Sequence, residues 1–135
     1  MQSQLLLYPL LAHILWMVFL YAVLSVVRAP DVWGVGASSN GENPWQHFES
    51  RISANLSNQF EWPMLFYVIC ALLLAAEIII SPFYIWAAWV FVAGRVVHTG
   101  VQVLTTNVRL RGLVFTLNFV AVLSIWVVYC LENIR

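Results

Sequence analysis

Trp62-PMLFYVICALLLAAEIIISPFYIWAAWVFVA-Gly94 is 33 residues long and carries a single charge, Glu77. One helix of that length rises ~50 Å at ~1.5 Å per residue, well beyond a hydrocarbon core of ~30 Å. The chain must therefore turn inside it. Ser81-Pro82 is the place, because a proline lacks the N–H that would continue the helix before it. The stretch reads as two membrane spans folded into a tight hairpin.

The flanking sequence repeats the theme. Leu5 to Val27 contains no Asp, Glu, Lys or Arg, with His13 its one histidine, and Gly112 to Leu131 is equally free of charge. The first run lacks a basic leader and is too long for a signal-peptide core, so it is expected to be retained as a span. The reading is an all-α integral membrane protein, a four-transmembrane-helix bundle in one domain (1–135). Its spans fall at about 5–27, 53–80, 83–107 and 111–131. Residues 28–52 form the one long loop, rich in turn residues (Pro30, Gly34, Gly36, Asn40-Gly41, Asn43-Pro44), with a short amphipathic piece around Trp45 to Phe48. The second helix is expected to absorb Pro63 as a kink.

Composition excludes the alternatives. Of 135 residues 62% are hydrophobic and 9% charged, with a mean hydropathy of +0.85; soluble domains carry about 25% charged residues. Net charge is zero and no basic run points to nucleic acid. All six basic residues are arginine, the residue suited to fixed, forked contacts with carboxylates and phosphates. Arg28, Arg51, Arg109 and Arg111 fall at the ends joined by loops one and three, and Arg135 at the opposite side. The positive-inside rule then puts both termini on the non-cytosolic side. Cys70 lies mid-span and Cys130 at the end of the last span. That separation exceeds the ~7 Å limit for a disulfide, so both are expected to be free packed thiols with no metal role.

Function is sought where polarity enters lipid. Arg95, His98, Gln102, Thr105 and Arg109 are spaced 3, 4, 3 and 4 apart, which puts them on one helix face. An intramembrane arginine is costly and faces a bundle interior or a wet cavity. Its expected partner is Glu61, a ligand carboxylate or a neighbouring subunit. The second helix carries its own stripe, Arg51, Asn55, Asn58 and Trp62, with Glu61 on an adjoining face. Folding the hairpin about Ser81-Pro82 sets Glu61 level with Gln102, and Asn58 level with Thr105. Arg111, with Phe115 and Asn118 on its face, opens the fourth helix at the same cytosolic end. Glu77, near the outer boundary, is expected to be neutral to ligand binding. Asn and Gln in spans also serve simply to join helices, and His13 reads as a packing or interhelical hydrogen-bonding residue.

Arg95-Val-Val-His98-Thr-x-x-Gln102, with Arg111 sixteen residues after Arg95, resembles the third-to-fourth helix segment of the MAPEG family, the membrane-associated proteins in eicosanoid and glutathione metabolism. Asn58-x-x-Glu61 with Pro63 resembles the family's second-helix motif, and a first span ending in Arg28 matches as well. The resemblance covers nearly the whole chain and is closest to short bacterial members. It implies a homotrimer, in a bacterial inner membrane, with glutathione as co-substrate between subunits near the cytosolic side. The reaction implied is a glutathione-dependent transferase or peroxidase acting on a lipophilic electrophile delivered from the membrane lipids.

Carried over by position, Asn58 and Glu61 hold the glutathione backbone and amine, His98 and Gln102 line the site, and Arg28 reaches in from the adjacent subunit. Arg111 stabilises the thiolate as the catalytic residue. Arg51 and Arg95 complete the candidate binding set. The chain departs from the family pattern at four places. Gln102 and Phe115 stand where family enzymes usually carry tyrosines, Gly112 where some carry serine, and Ala54 where the motif has arginine. Arg51 restores that last spacing only if Asn55 is the motif asparagine, which then loses the glutamate. These departures keep open the alternative of a non-catalytic lipid-binding or structural member.

Overall fold

A computed structural model describes residues 3–76 and 81–133, and every described element is helical. After a 3-10 turn at Ser3–Leu6 come α1 (Leu7–Trp33), α2 (Gln46–Gln59), α3 (Met64–Ala75), α4 (Pro82–Leu104) and α5 (Val108–Asn133). They make four runs long and apolar enough to cross a bilayer: Gln4–Trp33, Gln46–Ala75, Pro82–Leu104 and Val108–Asn133. This is a multi-pass membrane protein. Glu77 and Arg135, both used in the sequence reading, lie outside the described residues.

The ends of the helices follow local chemistry. α1 runs past Arg28 to Trp33, so the irregular loop is shorter than the expected 28–52. Gly34 stops it: its φ of +69° is the left-handed geometry that favours glycine, and its N–H bonds back to the Pro30 carbonyl at 3.1 Å. The other end of the loop is tied down by Asn43. Its amide donates to the Val27 carbonyl and to Asp31, while its Oδ1 accepts from the Trp45 N–H. The short piece expected near Trp45 is the opening turn of α2, which begins ahead of residue 53.

The expected kink at Pro63 is a full break. Residues 60–63 leave the helix between α2 and α3, since Pro63 cannot donate to the preceding turn and disfavours helical geometry at Trp62. The break throws Trp62 inward. Its ring meets Phe91, Phe115 and Phe119 edge-on at 5.8, 5.4 and 5.7 Å. At the hairpin, the Ser81 hydroxyl accepts from the Phe83 N–H and Pro82 opens α4. α4 ends at Leu104, short of the expected 107, because Thr105 is extended. Asn107 then caps α5, accepting from the Leu110 N–H at 3.0 Å.

Two apolar clusters hold the bundle. The larger joins Phe66, Ile69 and Leu73 of α3 to Tyr84, Ala88 and Phe91 of α4 and to Val122 and Ile125 of α5, with Phe66 stacked on Phe91 at 4.2 Å. The smaller packs Leu20 and Leu24 of α1 on Ile52 and Leu56 of α2. α4 and α5 pack closely at Gly94, where an added Cβ would lie 1.7 Å from Asn118 Oδ1. Cys70 is buried and both cysteines are free. Large apolar side chains such as Leu15, Val26, Trp86 and Leu117 cover the outside, a surface made for lipid or for another subunit.

Candidate functional site

Polarity inside this bundle is a connected seam. Arg95 is fully buried, 0% exposed, and its Nε–H donates to Gln59 Oε1 at 2.9 Å. His13 Nε2 meets the same oxygen at 3.2 Å, and His13 Nδ1 lies 2.5 Å from the Tyr67 hydroxyl. Since Gln59 Oε1 can only accept, Nε2 is the protonated nitrogen and Nδ1 accepts from Tyr67. Onward, Gln59 Nε2 donates to Asn55 Oδ1 at 3.3 Å and the Thr99 hydroxyl donates to that oxygen at 2.9 Å. Asn55 Nδ2 in turn donates to Gln102 Oε1 at 2.9 Å. Residues of α1, α2, α3 and α4 are thereby joined without an acid.

The seam ends at a pocket. Asn58, His98, Gln102, Val108, Arg111, Gly112 and Phe115 line a cavity of about 340 Å³. A second lobe of about 290 Å³, which shares Gln102 and Arg111, is lined also by Arg51, Ala54, Thr105 and Asn107 among others. Arg111 lies in the opening turn of α5, where the positive end of the helix dipole adds to its charge. Between α1, α2 and α4 runs a separate apolar groove of about 330 Å³, floored by Thr99 and walled by Trp16, Phe19, Leu20 and Val103.

The sequence-derived candidates divide. Asn58, His98, Gln102 and Arg111 share the first lobe, and Arg51 joins Gln102 and Arg111 in the second. Arg51 also donates to the Val103 and Thr105 carbonyls at 2.9 and 3.2 Å, closing the C-terminal end of α4. Arg28 is held in its own chain by Glu49 at 2.6 Å and by Ser53. Arg95 stays in the seam and lines neither lobe. Its guanidinium carbon stands 5.6 Å from the Trp62 ring centre.

Glu61 is the candidate the structure separates from the rest. It is exposed, in the break between α2 and α3, and the partner of Arg95 is Gln59. The level pairing of Glu61 with Gln102 assumed one straight helix. The interrupted α2–α3 run descends less per residue, so Gln102 meets Asn55 instead. Asn55 is 0% exposed.

Sequence reasoning passed over Gln59, the residue that receives Arg95. Its one signal was position: Gln59 lies four residues after Asn55, on the same face of α2. The profile of the MAPEG family matches residues 6–131 of the chain. No curated protein and no solved structure matches it.

Proposed function

The chain belongs to the MAPEG family, and from that premise we propose that it is a glutathione-dependent transferase or peroxidase acting on a lipophilic electrophile. The observation that carries this reading is the meeting of Asn58, His98, Gln102 and Arg111 around one polar cavity at the mouth of the bundle. Glutathione offers two carboxylates and a thiol. A fixed guanidinium beside a thiol favours the thiolate, which is the nucleophile. Arg111 is the group in this cavity able to do that. The apolar groove between α1, α2 and α4 suits the second substrate, a lipophilic small molecule entering from the membrane lipids.

On this reading three copies assemble and glutathione lies where neighbours meet. Arg28 then contributes across the interface only by keeping Glu49 as a companion or releasing it. Glutathione binding to the detergent-solubilised protein, measured by calorimetry, tests the proposal. Binding that falls at least about tenfold in Arg111→Ala supports it, and wild-type protein that binds no glutathione overturns it. Phe115 and Gly112, which bring no hydroxyl to the cavity, favour a second reading: a lipid-binding or structural member without turnover. Glutathione binding without turnover on any electrophile would select that one.

A further inference from the structure

An amide side chain fits its site equally well either way round by shape, and only its neighbours decide which end points where. In the seam that decision starts from one group that can only donate. Arg95 Nε–H fixes Gln59 Oε1 toward itself, and His13 Nε2–H shares that oxygen. Gln59 Nε2 must then face Asn55 and find its oxygen. Asn55 is left with its nitrogen toward Gln102, which must answer with Oε1. The remaining end of Gln102, its NH2, makes no hydrogen bond among the described residues, and Gln102 lines both lobes of the cavity beside Arg111.

We propose that Gln59 and Asn55 are positioning residues that hold the Gln102 amide N–H toward the cavity, so that it donates alongside Arg111 to an anionic group of the bound ligand. The orientation itself is a property of the folded chain. The ligand's identity as glutathione rests on the function proposed above. Neither Gln59 nor Asn55 lines the lobe shared by Asn58, His98 and Arg111; each acts through Gln102. The seam also has a second satisfied arrangement. If residue 59 offered only acceptors, Asn55 would turn its nitrogen to it and its oxygen to Gln102. Thr99 already lies 3.0 Å from the Arg95 carbonyl and can give its proton there. Gln102 would then turn its NH2 inward and present oxygen beside Arg111.

Gln59→Glu imposes that reversal from two residues away, and Asn55→Asp imposes it from one. The test uses the full chain in detergent, labelled with 15N at glutamine side chains, with the Gln102 signal assigned by its loss in Gln102→Met. In wild-type protein the Gln102 NH2 is expected to exchange with solvent deuterium far faster than that of Gln59. In whichever of the two variants folds, Gln102 exchange is expected to slow by about tenfold or more, as that group becomes tied inside the bundle. Unchanged Gln102 exchange in a folded variant overturns the proposal, as does a Gln102 NH2 already protected in wild type.

Glutathione calorimetry on the same samples separates the two ideas. Slowed exchange with glutathione binding weakened by roughly tenfold supports both. Slowed exchange in a protein that never binds glutathione keeps the orientation relay and removes glutathione as its ligand. Slowed exchange with wild-type glutathione affinity overturns the role assigned to the Gln102 donor.

Discussion

Arg95 is the largest fully buried side chain among the described residues, and burying its charge is costly. Its Nε is satisfied by Gln59, while both terminal nitrogens are buried without a partner among the described residues. The Trp62 ring, 5.6 Å from the guanidinium carbon, offers its face to that group. Thr99→Val keeps shape and deletes the hydroxyl that bonds Asn55; it is expected to cost about 1 kcal/mol in a reversible unfolding measurement. Arg111→Ala, at the exposed mouth, is expected to leave stability within about 0.5 kcal/mol while abolishing transferase turnover. Full turnover in that variant would remove Arg111 from the chemistry. Of the five-residue stripe, Arg95, His98 and Gln102 were legible from spacing, because a helix carries a 3–4 repeat onto one face; Thr105 and Arg109 fall outside it, since α4 ends at Leu104 and Arg109 belongs to α5. Gln59 was not legible, because choosing among the polar residues of α2 required its register against α4.

At the scale of helices, the hairpin was legible because length and Ser81-Pro82 leave no other solution. Register was not, because nothing in a pattern of apolar residues says how much depth a broken helix loses at residues 60–63. That loss explains why Asn55 replaced Glu61 opposite Gln102. Pro63→Ala restores the missing donor and is expected to join α2 to α3, drawing Trp62 out from Phe91, Phe115 and Phe119. The check is tryptophan emission combined with the collisional quenching of that ring, read in a variant retaining Trp62 as sole tryptophan. Gly94→Ala drives a methyl into Asn118 and is expected to destabilise the α4–α5 pair by about 1–3 kcal/mol, seen as a lowered Tm. Gly100→Ala, on the same helix with open space at its Cβ position, serves as the neutral control.

For the whole molecule, the family match and four apolar helices agree on a membrane bundle, whereas assembly rests on the proposed function and sidedness on the placement of the arginines. A homotrimer is expected on mass analysis in detergent, and a monomer at all concentrations would leave Arg28 without a neighbouring site. A single thiol placed at Ser38, in a cysteine-free background, is expected to be labelled from the cytosolic face only. Labelling from outside would invert the topology. The polar seam has one more consequence, for how the chain enters the bilayer in the first place. The α1 and α5 spans are the more apolar pair, while α2–α3 and α4 carry the amides and Arg95 and are the less apolar. Each of the middle spans presents the insertion machinery with polar groups satisfied mainly by the other, through Gln59–Arg95, Asn55–Thr99 and Asn55–Gln102. The outer spans can partition singly. The middle two are therefore expected to cross together as a preformed hairpin, with the polar seam between them setting that order of entry.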